Sequence, residues 1–149
     1  MPATSRETIE HLCKSIINRL ENKKVIELES EKRSDLQTDM ANLISPHIFT
    51  EEDLKNKTLE MLGATNDMML EEGFAETSNY RTARSMVRKS FGDDELNGFY
   101  FQKSLREIAK MIAEFFMKSN HVEDVFESDH DIVLKIVDIV KKFDQKQLH

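Results

Sequence analysis

Apolar residues recur at helical spacing along most of the chain. Ile9, Leu12, Cys13, Ile16, Ile17 and Leu20 stand at offsets 0, 3, 4, 7, 8 and 11, which draws one stripe down a helix. Thr4 or Ser5 offers a side-chain oxygen to cap its start. Val25-Ile26-Glu27-Leu28 reads as a short extended link. Ser30 is expected to cap the next helix, with Glu31 at its positive end, and Leu36, Met40, Leu43 and Ile44 form its stripe until Pro46 closes it. Thr50-Glu51-Glu52-Asp53 predicts a capping box with Asp in place of Glu, opening a helix to about Leu62. A short Met-rich helix is expected from Asn66 to Glu72, another from Ser78 to Phe91, a long one from Leu96 to Lys118 and a last from Ser128 to about Gln145. The last is rich in β-branched residues, but Ile132, Val133, Ile136, Val140 and Phe143 keep helical spacing over a stretch too long for a typical strand. Gly63, Gly73, Gly92 and Gly98 fall near helix ends, where a C-cap needs positive φ.

Sliding the chain against itself by 96 residues aligns residues 9–44 with 105–140 without a gap. Ile9, Leu12, Ile16 and Leu20 meet Leu105, Ile108, Ile112 and Phe116, and Leu36, Met40, Leu43 and Ile44 meet Ile132, Ile136, Ile139 and Val140. The pattern predicts two helix–link–helix units, 6–45 and 102–143, joined by connecting helices over 50–98. Neither unit buries its stripes alone. A pseudo-two-fold would set them face to face and let Val25–Leu28 pair with Val122–Phe126 as a tiny two-stranded ribbon. Met111, Phe115 and Met117 lie off the main stripe of the long helix, which places that helix centrally.

An amphipathic N-terminal helix (Ile9–Leu20), a hydrophobic-acidic link (Val25–Leu28) and a charged helix follow one another, and the pattern returns at Leu105–Phe116 and Val122-Glu123-Asp124-Val125. In this the chain resembles an uncharacterised bacterial family, number 507 among the domains of unknown function. The resemblance implies no established activity, catalytic residue or cofactor.

Composition narrows the class. The 149 residues include four Gly, two Pro and one Cys, so collagen-like, low-complexity and disulfide-stapled chains are excluded. No run approaches about 18 consecutive apolar residues, so no membrane span is expected, and a reducing, cytoplasmic setting suits the lone Cys13. The net charge of −7 opposes non-specific nucleic-acid binding, but it is unevenly spread. Residues 46–78 carry −6, and residues 79–90 carry +4 from Arg81, Arg84, Arg88 and Lys89 with no acid among them.

Candidate chemistry is sparse. There is no Gly-rich phosphate loop, no His-Glu-x-x-His helix, no Cys pair and no Gly-x-Ser-x-Gly elbow. Cys13 belongs to an apolar stripe, where a thiol acts as a small hydrophobe. The run His121–Asp131 collects two His and five carboxylates, but its spacing fits no known metal loop, and Ser128, Asp129 and Asp131 suit a helix start. His11, His47 and His149 are expected to face solvent. Neither an enzyme nor a cofactor is expected. Arg81, Arg84 and Arg88 share one helical ridge that could hold phosphate or an acidic partner, or could pair with the acidic segment before it, Glu71–Glu76. Met68, Met69 and Phe74, with Met61, Leu62 and Leu70 nearby, form a soft apolar cluster. Phe99, Tyr100 and Phe101, read as helical, cannot all face one side, so at least one is expected at a surface covered by another chain. The sequence therefore predicts an all-α single domain of about seven helices. The expected function is a non-enzymatic intracellular interaction or regulatory protein that forms homodimers. The second reading is a nucleic-acid or phosphate-binding module using residues 81–89.

Overall fold

A computed structural model describes residues 4–69, 71, 73–92, 94–96 and 98–143. Leu70, Glu72, Gln145 and His149, named above, lie outside the described residues. The first unit holds α1 (Ser5–Asn22), β1 (Ile26–Glu27) and α2 (Arg33–Ile44). The connecting part holds β2 (Ile48–Thr50), α3 (Glu51–Leu62), α4 (Asn66–Met69), α5 (Ser78–Ser90), β3 (Asp94–Leu96) and β4 (Phe99–Phe101). The second unit holds α6 (Leu105–Lys118), β5 (Asp124–Val125) and α7 (Asp129–Lys142). The architecture is mostly α, with seven α-helices and short antiparallel strand pairs among the described residues.

The caps explain most helix starts. Thr4 opens α1 with a full capping box, its hydroxyl accepting from the Glu7 amide at 3.1 Å. Thr50 does the same for α3, and its own amide donates to the Asp53 carboxylate at 2.9 Å. Thr77, Ser104 and Ser128 cap α5, α6 and α7. Gly63 closes α3 in the left-handed region, φ 63°. Ser30 does not cap α2: it begins a 3-10 turn, Ser30–Lys32, and α2 starts at Arg33.

Ile9, Leu12, Cys13, Ile16, Ile17 and Leu20 of α1 are buried in one large core with the stripes of α2, α6 and α7. Within each unit the helices form a pair, α1 with α2 and α6 with α7. Between units, α1 packs on α7 and α2 on α6. Exchanging the units converts one of these contacts into the other. The links pair antiparallel, Ile26 opposite Val125 and Glu27 opposite Asp124, as the pattern predicted.

The expected long helix from Leu96 is replaced by a hairpin before α6. Strand β4 lies between β2 and β3 in a three-stranded antiparallel sheet. Phe99 and Phe101 point into the large core with Ile48, whereas Tyr100 turns to a second core of Leu54, Val87 and Phe91, with Phe49 packed against it. All three aromatic residues are covered within the chain, because a strand sends neighbours to opposite faces and both faces here are packed. The sheet component thus exceeds the single ribbon expected. Met111 and Phe115 of α6 are half-buried and Met117 is exposed.

Candidate functional site

The second core defines a small layer, in which α3 and α5 pack against each other beside the sheet. Its floor is aromatic, with the Phe49 and Phe91 rings stacked at 4.2 Å between centroids. Tyr80, Ala83, Val87 and Phe91 turn inward from the α5 segment. This leaves Arg81, Arg84 and Arg88 on one flank and Met86 on the other.

The ridge is not a free row of cations. The Arg84 guanidinium donates to both Glu51 oxygens, at 2.9 and 3.2 Å. The Tyr100 hydroxyl donates to the same carboxylate. Partial burial works against the Arg84 charge, but Glu51 and Tyr100 outweigh it and raise its pKa above the ordinary value. Burial, together with the Glu51 hydrogen bond and charge, pushes the Tyr100 phenol up to about 12. Arg88 donates to the Gly92 carbonyl at 2.6 Å, approaches Glu95 at 3.5 Å and lies 4.5 Å above the Tyr100 ring. Arg84 and Arg88 are therefore engaged from the first residue of α3 and from β3, and among the described residues neither Glu71 nor Glu76 forms an ion pair with the ridge. Arg81 and Lys89 are exposed and make no ion pair among the described residues.

The apolar candidates divide. Phe99 and Tyr100 are 0% and 2% exposed, so neither belongs to a partner surface, and the observation that suggested self-association is met inside the chain. Phe74 is half-buried with its ring edge-on to Tyr80, Met69 is half-buried and Met68 is exposed. A groove opens between α3 and α5, lined by Lys57, Glu60 and Met61 on one side and Met86, Val87, Ser90 and Phe91 on the other. Met61 is 51% and Met86 57% exposed. Met86 does not share the inward face of Val87, its neighbour in the chain. It stands about 100° from Val87 around the helix and faces outward. That angle was the available signal.

The run His121–Asp131 is dispersed. His121 Nε2 stands 3.2 Å from Asp39 on α2, Glu127 pairs with Lys135, and the Ser128 hydroxyl accepts from the Asp131 amide at 3.4 Å. Among the described residues no group of three His, Cys, Asp or Glu is placed to hold a metal ion, and no helix is long and apolar enough to cross a membrane. Cys13 is a free buried thiol, pushed up to about 12 by burial.

A family described as protein of unknown function (DUF507) matches residues 4–148. The chain belongs to that family. No curated protein and no solved structure matches it.

Proposed function

We propose that this DUF507 member is a non-enzymatic, intracellular protein-interaction module whose contact surface is the α3–α5 groove. The observation that carries the reading is the pair of outward methionines, Met61 and Met86, over a floor of Val87 and Phe91. Soft, unbranched side chains at a groove mouth fit partners of varied shape. The engagement of Arg84 and Arg88 by Glu51, Glu95 and Tyr100 favours this over the phosphate-binding reading. In the same reading, units 6–45 and 102–143 are a duplicated scaffold, supported by the exchange-related packing of α1 on α7 and α2 on α6.

The test is capture from the native cell on the immobilised chain, with and without nuclease, beside the Met61→Glu/Met86→Glu variant. The reading expects a protein retained through nuclease and lost from the variant. An unchanged set of retained proteins overturns it. Material lost on nuclease treatment and on Arg81→Glu/Lys89→Glu substitution transfers the function to the basic helix. Self-association is tested separately by light scattering, and a monomer mass at micromolar concentration removes it.

A further inference from the structure

We infer that the seam between α6 and α7 holds a small dipolar molecule, with a guanidinium or ammonium at one end and a carboxylate at the other. The site shares no residue with the α3–α5 groove and stands without the interaction reading. The two units differ at this seam. At the 96-residue offset, the seam of α6 and α7 corresponds position by position to that of α1 and α2. In the first unit the chain ties the seam shut. Arg33 donates across it to the Asn18 side-chain oxygen at 2.6 Å and to Glu21, and Gln37 donates to the Glu10 carbonyl at 2.9 Å. In the second unit these ties are gone. Asp129 stands for Arg33 and brings a carboxylate where a guanidinium donated, Val133 stands for Gln37 and cannot donate, and the small Ala113 stands for Ile17. A cavity of about 350 Å³ opens there, within the range of small-molecule sites.

The lining carries both signs of charge. Arg106, Lys110 and Glu114 come from successive turns of α6, and Asp129 comes from the start of α7. Among the described residues none of these four side chains makes an ion pair or a hydrogen bond, although two cations and two carboxylates share one cavity. Arg106 and Lys110 stand four apart, where like charges repel and an anion between them relieves the repulsion. Glu114 takes the place of Asn18, the acceptor of the Arg33 guanidinium, and among the described residues no side chain donates to it. A ligand cation on Glu114 and Asp129 thus remakes the bond of the first unit, and a ligand carboxylate gives Arg106 and Lys110 the charge-assisted partner they lack. The four formal charges cancel, so a ligand of one sign meets repulsion as well as attraction, whereas a dipolar ligand is attracted at both ends. His130 also lines the cavity and can hydrogen-bond to either end, and Ala113 and Val133 offer apolar surface to the methylenes between.

The experiment titrates the full chain, labelled at its Ala and Val methyl groups, with γ-guanidinobutyrate and with its two halves, propylguanidinium and butyrate. The Ala113 and Val133 methyl signals report on the cavity, and those of buried Ala41 and Val25 report an intact fold. The cavity signals should shift with the dipolar compound, which should bind about tenfold or more tighter than either half at low salt. Glu114→Gln should bring its affinity down toward that of butyrate, and Arg106→Gln/Lys110→Gln toward that of propylguanidinium. Glu114→Asn/Asp129→Arg installs the tie of the first unit and should abolish binding while the Ala41 and Val25 signals hold. Binding of one half as tight as that of the dipolar compound overturns the proposal, as does unchanged binding in Glu114→Asn/Asp129→Arg. So does a dipolar compound that moves neither cavity signal at about 20 mM, a concentration above the millimolar Kd that a ligand of its size reaches at ordinary efficiency. The interaction reading is decided separately, by the capture experiment.

Discussion

Glu51 joins three elements through one carboxylate. It is the first residue of α3, accepts from Tyr100 of β4 and faces Arg84 of α5. The Arg84 and Glu51 side chains remain 39% and 56% exposed, so water competes for both, and such a pair contributes under about 1 kcal/mol. Arg88 is 23% exposed, donates to a backbone carbonyl and covers an aromatic face, which together contribute about 2 kcal/mol. Arg88→Ala should therefore destabilise the chain by at least about 1 kcal/mol more than Arg84→Ala in urea unfolding, although the two residues look equivalent in the sequence. The raised acids give a pH prediction. Tyr100 keeps its proton to about 12 in the folded chain against an ordinary 10.0, and Cys13 to about 12 against 9.0. Above their ordinary values the unfolded chain releases these protons first. The contribution of these two groups is fully present below about pH 9 and is lost as pH rises toward 12. Melting temperatures across that range should decline less steeply in Tyr100→Phe than in the parent.

At the scale of elements, the helices were legible where one face is apolar and the other polar. The stripe of α1, the box at Thr50 and the cap at Ser128 stand where the spacing put them, and of the two caps offered for α1 it is Thr4 that opens the helix. The β3–β4 hairpin was not legible. Period-2 alternation is visible only when one face of a strand is polar, and in Phe99-Tyr100-Phe101 both faces are covered by apolar residues. Gly92 added to the error, because a glycine after a helix reads as a C-cap. Its φ of 106° and the 2.3 Å that a Cβ would leave to the Phe101 carbonyl oxygen show that it lets the hairpin backbone approach. The pair α3 and α5 packs around a small core of its own on the outer face of the sheet, so it should open apart from the bundle. Leu54→Ala removes a fully buried side chain from that core and should cost about 2–5 kcal/mol locally. Hydrogen exchange should quicken in α3 and α5 while α1 and α6 keep their protection. Equal quickening throughout would mean that layer and bundle unfold as one.

The whole molecule depends on contacts between units distant in sequence. The apolar face of α1 is covered by α2 and α7, and that of α6 by α2 and α7. Residues 1–47 expressed alone should give a disordered spectrum, because half the surface that buries Ile9, Ile16 and Leu20 is missing. A native-like helical spectrum from that fragment would show each unit to be self-sufficient. The candidate groove was only partly legible at this scale. Met61 and Met86 are far apart in sequence, and only the packing of α5 against α3 brings them to one groove. The pairing of β2 with β4 has one further consequence. Ile48 lies opposite Phe101, and the Gln102 amide donates to the His47 carbonyl at 3.0 Å, so the chain leaves the bundle and returns to it side by side. The layer of α3, α5 and β3 hangs from that paired stem as a cassette, with the Ser5 hydroxyl of α1 donating to Asp53 at 2.6 Å beside it. A cassette on a closed stem can be lengthened, rebuilt or exchanged without moving the four helices beneath it, which frees the grooved surface to diverge from one member of the family to another while the bundle stays the same.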